Sequence, residues 1–461
     1  MPPPQPYRPD PCILELGPDF YDEVSPADFQ ATTERFFNRR SADEVGLGGL
    51  EDSQRARHFG RFEPLPDNLK HPLALRYHGH QFRHYNPELG DGRGFLFAQL
   101  RDGCDRLLDL GTKGSGQTPW SRRGDGRLTL KGGLREVLAT EMLEALGVNT
   151  SKSFALFETG EALWRGDEPS PTRSAVLTRL SHGHIRIGTF QRLAFFRDTD
   201  NLAKLVRYCL VHLYGEVATD DRLENAARLF DRVVGATATL AASYLAAGFV
   251  HGVLNSDNIA ITGESFDYGP WRFTPEWDEA FTAAYFDETG LYAFVRQPEA
   301  IHWDVAQLAG SLALLGHVPG LADTLASWGT RFEAAFVTAM LARLGVAERG
   351  LKDDRPLVAA LVKALQSGGV TIDRLFFDWR RGCDPGGERY GAEPFRALAA
   401  TLAGRSAPAT HPYWSDAEPC SMHIDEVETI WAAIAERDDW SVFEQKIAAV
   451  RRMGDAMESG A

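Results

Sequence analysis

The sequence predicts an α+β protein whose first part is rich in strands and whose remainder is helical. Three observations carry that reading. At 461 residues the chain is too long for one small core and suits two or three packed lobes. Up to about residue 190 the apolar runs are short and punctuated by glycine. Beyond Asp198 they become long Ala/Leu-rich patterns at helical spacing.

Taken in order, residues 93–111 (RGFLFAQLRDGCDRLLDLG) are two apolar runs around RDGCD, which predicts a hairpin. The Gly-rich GTKGSGQTPWSRRGDGR follows. In LKGGLREVLATEMLEALG, the residues Leu134, Val137, Leu138, Met142, Ala145 and Leu146 recur at helical spacing, and Gly147 closes the helix. SFALFETGEALWRG and SAVLTRL read as further strands. Residues 201–217 and 223–247 are helical patterns, the second ending at Gly248, and helices continue over 303–316, 321–345 and 356–368. The Gly/Pro-rich stretch 380–394 reads as a loop or mobile insertion, and helices near 424–436 and 440–452 follow it. The expected division is a strand-rich lobe with an N-terminal extension over 1–198, a helical lobe over 199–345 and a helical extension over 346–461.

Composition narrows the function classes. A net charge of −15 disfavours nucleic acid as a partner, because phosphate contact needs Lys and Arg in excess. No window approaches the run of about 20 apolar residues that a membrane helix needs. The start, MPPPQPYRPDPC, has neither an apolar signal core nor an Arg-rich amphipathic pattern. Five cysteines are scattered without CxxC spacing, which argues for reduced thiols. The expectation is a cytoplasmic protein with no nucleic-acid and no membrane partner. Against the acidic background, Thr112 to Arg135 holds six basic residues (Lys113, Arg122, Arg123, Arg127, Lys131, Arg135) against a single acid, Asp125. Such an island suits an anion pocket or a solvated loop.

The chemistry concentrates in HGVLNSDNIAITGESFDYG, residues 251–269. A turn at Thr262-Gly263 would pair Ile261 with Glu264 and set Asn258 opposite Asp267, at about 5 Å, where two oxygen ligands can share a divalent ion. A turn at Gly263-Glu264 slips that register. Protein kinases hold Mg²⁺ with such a kit, an Asn from the catalytic loop and the Asp of D-F-G. Here the second motif is Asp267-Tyr268-Gly269, and His251 stands seven residues before Asn258. Gly252 and Val253 occupy the positions of the kinase Arg and catalytic Asp. Asp257 is the nearest carboxylate that could take a proton, from a different place on the loop.

A phosphoryl-transfer site also needs a strand lysine and a helix glutamate to orient it. Lys113, after LLDLG, and Glu136, in the following helix, fit those roles. LGDGRG (89–94) can turn tightly enough to expose backbone N–H groups to phosphate, whereas GSG (114–116) lacks the Gly-Lys-Ser/Thr of a Walker A motif. Arg179 and Arg186 could add guanidinium contacts. The histidines of YHGHQFRHYN and SHGH lack ligand-spaced carboxylates and favour a hydrogen-bonding role over zinc.

In order along the chain, GHQF, LGDGR, KGSGQTPWSRRGDGR, LREVLATE, SHGHIRIGTF, HGVLNSDNIAI, DYGP and WDVAQLA resemble the selenoprotein O family of pseudokinases, over about residues 70–315. The resemblance implies a protein-kinase-like bilobal fold that binds ATP in a flipped orientation. It implies transfer of AMP to Ser, Thr or Tyr hydroxyls of other proteins with release of pyrophosphate, UMP from UTP being a close variant. By the same resemblance Gly90, Gly92 and Arg93 contact the nucleotide, as do Lys113 with Glu136, Asp125 and Gly126, and Arg179 and Arg186. Asp257 is the base, and Asn258 and Asp267 hold Mg²⁺ or Mn²⁺. With the nucleotide inverted, the α-phosphorus faces the acceptor and the usual kinase base is dispensable, while the metal ligands still neutralise phosphate charge. An orthodox phosphotransferase using Asp257, and an ATP-binding scaffold without catalysis, are the competing readings. The chain departs from the family in three places: its last cysteine is Cys420, Gly132-Gly133 replaces Ser-Ser before the helix, and SHGHIR carries extra residues before Arg186. The glycine pair predicts a looser helix start.

Overall fold

The computed structural model describes residues 5–166 and 168–459. Its sheet has eight strands. Seven are Tyr21–Glu23 (β1), Thr33–Phe37 (β2), Leu73–Leu75 (β3), Leu96–Arg101 (β4), Leu107–Lys113 (β5), Lys152–Leu163 (β6) and Thr172–Ser181 (β7). They lie in the order β1-β3-β4-β5-β7-β6-β2, and the short strand Leu128–Thr129 pairs with β7 off that path. The predicted hairpin is β4–β5, antiparallel with Leu100 opposite Leu108. Alternation along the strands sends neighbours to opposite faces. On β7, Ala175 and Leu177 enter one core while Val176 enters another with Phe59, Phe97 and Phe154.

The first of these cores is made against the helix Leu130–Ala145 (α1), whose Leu134, Val137, Leu138 and Met142 are fully buried. The start of α1 is capped rather than loose. Thr129 Oγ1 accepts a hydrogen bond from the Gly132 N–H at 3.1 Å, satisfying one of the helix's free donors.

The helical remainder follows the predicted order with local differences. Ile187–Phe195 (α2) was not legible as a helix, nor were Ile372–Asp378 and Glu393–Leu402, each only two or three turns long. Arg222–Ala247 (α3) runs from an Asp221 cap to Gly248 in the left-handed conformation. The pattern at 303–316 begins earlier, as Gln297–Leu312 (α4), with a proline in its first turn. The single helix expected over 321–345 is two, Leu321–Ala326 and Trp328–Leu344 (α5), divided at Ser327, whose hydroxyl bonds the Thr324 carbonyl. Of the stretch 380–394 expected as a loop, residues 380–392 form one with two single 3₁₀ turns, and the last two residues begin the helix Glu393–Leu402. The chain closes with Ile424–Arg437 (α6) and Ser441–Glu458 (α7). Phe443, Ile447, Val450 and Met453 of α7 join the core that contains α1. Among the described residues no helix is long and apolar enough to cross a membrane.

The hairpin expected between Asn258 and Asp267 is not formed. Asn258 closes a 3₁₀ turn, Ser256–Asn258, and the next turn lies at Gly263, which has φ of 67° and donates to the Ala260 carbonyl at 3.0 Å. Each flank pairs outward instead. Ile187 N–H donates to the Ile259 carbonyl (3.0 Å) and Ile261 N–H to Ile185 (2.9 Å), while Ser265 N–H donates to Asn149 (2.8 Å). Distant partners thus satisfy the backbone groups that a local hairpin would have used.

Candidate functional site

A cavity of about 600 Å³ opens beside the C-terminal end of β5 and collects most of the residues singled out from sequence. Gly90, Gly92, Arg93, Lys113, Asp125, Gly126, Arg179, Arg186, Asp257 and Asp267 all line it. Glu136 stands behind Lys113, fully buried, and Asn258 is half-buried next to Asp257 without lining the cavity.

The charged centre is built from three elements. Lys113, at the end of β5, bonds Glu136 of α1 and sits 2.8 Å from Asp267 Oδ1. Arg179 of β7 reaches the same oxygen at 3.4 Å. Burial alone would raise the Asp267 carboxyl, but Lys113, Arg179 and Arg93 outweigh it and hold the group well below the usual carboxylate range. Asp267 itself has φ of 62°, a conformation that non-glycine residues rarely adopt. The tyrosine after it has a structural reason. Tyr268 is buried, and its hydroxyl is within 2.6 Å of both Thr150 Oγ1 and Ser265 Oγ.

His251 is a brace. Its N–H donates to Gln297 of α4 at 3.0 Å and its Nε2 lies 3.1 Å from the Phe266 carbonyl, tying 251 to the Asp267 segment. Arg186, 2% exposed, donates to the backbone carbonyl of Asp257 at 3.1 Å and stacks on Tyr77 with its guanidinium carbon 4.1 Å from the ring centroid. Asp257 Oδ1 is buried and has no hydrogen-bond partner among the described residues. Burial pushes the Asp257 carboxyl up to about 7 even though Arg186 works against it. Such a group can hold or release a proton near neutrality.

The Gly-rich loop earns its glycines through crowding. A Cβ on Gly90 would lie 2.4 Å from the Trp120 ring, so only glycine lets the loop lie against that indole. Ser121 Oγ donates to the Gly92 carbonyl, fastening the loop to the basic island. Within the island the side chains diverge. Lys113, Arg122, Arg123 and Arg127 line the cavity, whereas Lys131 pairs with Glu428 of α6 at 2.7 Å and Arg135 stacks on Trp271.

Sequence reasoning missed Arg165, which lines the cavity and binds Asp125 at 2.8 Å from forty residues further along the chain. It also missed Asp91, 3.4 Å from Arg186, and the stacking face of Tyr77. No spacing rule marks these three; Asp91 was in view only as part of LGDGR. Of the histidines expected to hydrogen-bond, His78, His80 and His184 do so through their rings. His78 Nδ1 lies 2.9 Å from Tyr85 Oη, and His184 Nδ1 lies 3.1 Å from Asp109.

Oxygen donors suited to a hard divalent cation are present. Asn258 Nδ2 donates to the Val253 carbonyl at 3.0 Å, which leaves its Oδ1 available, and the cations at Asp267 all meet Oδ1 rather than Oδ2. Among the described residues no group of three or more His, Cys, Asp or Glu could hold a metal unaided.

The family described as protein adenylyltransferase SelO matches residues 7–390. The chain belongs to this family. Relatives in the family bear the name protein nucleotidyltransferase YdiU. That of Synechocystis sp. is 41% identical over 460 residues, covering 94% of this chain and 96% of the relative. That of Gloeobacter violaceus is 41% identical over 467 residues, covering 96% and 95%. A Bradyrhizobium relative is 32% identical over 464 residues, covering 95% and 92%. The similarity therefore includes the C-terminal helices as well as the cavity.

Proposed function

We propose that the chain transfers AMP from ATP to Ser, Thr or Tyr hydroxyls of other proteins, with Asp257 as the base. Family membership makes it a protein nucleotidyltransferase with a nucleotide substrate. The observation that carries the finer reading is the place of Asp257. It is the buried, unpartnered carboxylate at the edge of a cationic cavity, while Val253 stands where a kinase would have its base.

In the proposed step the acceptor oxygen attacks the α-phosphorus and its proton passes to Asp257. The bond from the α-phosphorus to the bridging oxygen breaks, and pyrophosphate leaves with its charge balanced by Lys113 and the cavity arginines. Glu136 and Asp267 hold the Lys113 ammonium in place, and Arg186 fixes the Asp257 backbone. Gly90, Gly92, Arg93, Asp125 and Gly126 would bind the nucleotide, Arg179 would contact its phosphates, and Asn258 with Asp267 would hold Mg²⁺ or Mn²⁺. That ion would neutralise charge developing on the phosphate oxygens. The flipped nucleotide and a kinase-like division into lobes at 1–198 and 199–345, with a helical extension over 346–461, belong to the same proposal. A cytoplasmic setting is supported by five unpaired thiols.

The test uses ATP labelled at either the α- or the γ-phosphate, incubated with metal and a cell extract. Label entering protein from the α-position only, with pyrophosphate released, is the expected result. Label from the γ-position only would establish a phosphotransferase, and label from neither would leave a binding scaffold.

A further inference from the structure

A second cavity, of about 570 Å³, shares no lining residue with the first. It lies among the last turn of α1, the C-terminal turns of α3 and α5, the Arg380-Arg381 turn and α7. Leu146, Ala246, Val346 and Met457 give it apolar walls. Its volume is within the range of small-molecule sites, about 300–1,000 Å³.

Six arginines line this cavity, and four already have carboxylate partners. Arg451 and Arg40 meet Glu141 at 2.7 and 3.6 Å, Arg343 meets Asp373 at 2.7 Å, and Arg405 meets Asp354 at 2.6 Å. Arg380 and Arg381 have none among the described residues. Arg380 is 4% exposed and donates to the Arg343 and Met457 carbonyls at 2.9 and 3.0 Å, answering the free carbonyls where α5 and α7 end. Its Nε remains buried without a partner. Arg381, held at φ of 59°, makes no side-chain hydrogen bond or ion pair among the described residues, and its Nε is likewise buried and unpartnered. Burial, followed by the repulsion of Arg381, pulls the Arg380 guanidinium down to about 10. Two adjacent cations that lack a counter-charge are costly unless an anion joins them. The acids left at the cavity, Asp455 and Glu458, are solvent-exposed and unpaired with either arginine.

We propose that this cavity binds a small organic anion, with an apolar body against Leu146, Val346 and Met457 and a single carboxylate or sulfonate head on Arg381 and Arg380. The Gly-rich loop that begins at Arg380 is then a wall of a binding site.

The test is a fluorescence titration of the full chain with 8-anilino-1-naphthalenesulfonate, which has an apolar body and one anionic head. Saturable binding is expected that is unchanged by excess ATP and displaced by decanoate but not by decanol. Arg381→Ala should weaken it by about tenfold, the loss of a charge-assisted contact. Ala342→Phe, which fills the cavity from an exposed helical position, should abolish it. Arg381 has no side-chain hydrogen bond or ion pair among the described residues to lose, so its variant decides the matter if Ala342→Phe fails to fold. Displacement of the probe by ATP, equal displacement by decanol, absence of saturable binding, or wild-type affinity in Arg381→Ala would each overturn the proposal.

Discussion

The two cavities are nearly equal in volume, about 600 and 570 Å³, and both are lined by arginines, yet they distribute that charge differently. In the first, Arg93, Arg122 and Arg123 have no carboxylate partner among the described residues, and the cations that do have one meet Asp267, Asp91 or Asp125 at the cavity wall, or, for Arg127, Glu161 outside it. In the second, most of the guanidinium charge is neutralised by carboxylates from neighbouring helices, and only one adjacent pair is left over. A count of basic residues therefore says little about a site. The unpaired fraction and its direction decide whether a polyanion such as a nucleotide or a single anionic head is the better match.

That comparison can be broken or sharpened by mutation. Asp257→Ala should lower transfer by about 100-fold or more, the scale of general-base catalysis, while ATP affinity changes little. Full transfer by that variant, measured with α-labelled ATP, would remove Asp257 from the mechanism. Arg405→Ala removes the partner of Asp354, whose side chain is 1% exposed, and should cost about 3 kcal/mol of stability with no effect on ATP affinity. A denaturant midpoint equal to the wild type would show that the paired arginines of the second cavity are not structural. Arg122→Ala with Arg123→Ala should do the reverse, weakening ATP by about tenfold at unchanged stability. Calorimetric titration at low salt reads that difference, and equal ATP affinity would mean the island faces solvent rather than ligand.

A further expected effect concerns pH. Burial raises the Glu264 carboxyl to about 7, against the relief given by the His182 N–H and by Lys152 and Arg106, with Asp109 adding to the rise. Its folded-state proton affinity exceeds that of the unfolded chain, so the folded state holds the proton longer. Stability then falls as pH rises from the ordinary value of 4.5 through about 7. Glu264→Gln should flatten that fall in melting temperature, and an unchanged profile would assign the pH dependence elsewhere.

Much of the first cavity was legible because its residues occur in local motifs. The β4–β5 hairpin, α1 and the roles open to Lys113 and Glu136 follow from alternation and helical spacing over a few turns. The Asn258–Asp267 pairing failed for a definable reason. A two-residue turn predicts a hairpin only if no other backbone competes, and here residues 149–151 and 185–187 take the ladder on either side. Arg165 was invisible because its partner Asp125 belongs to another strand connection.

The sequence by itself determined the order of elements, the cationic island and the presence of an Asn, an Asp and a displaced carboxylate in one segment. These depend on residues close together in the chain. Only the tertiary structure decided that Lys131 and Arg135 turn away from the cavity while Lys113, Arg122, Arg123 and Arg127 face it. It likewise decided that Asp257 is buried enough to hold a proton near neutrality, and that Arg380 and Arg381 are left without a carboxylate. Burial and charge compensation depend on which distant segments are brought together, and spacing along one chain does not record that.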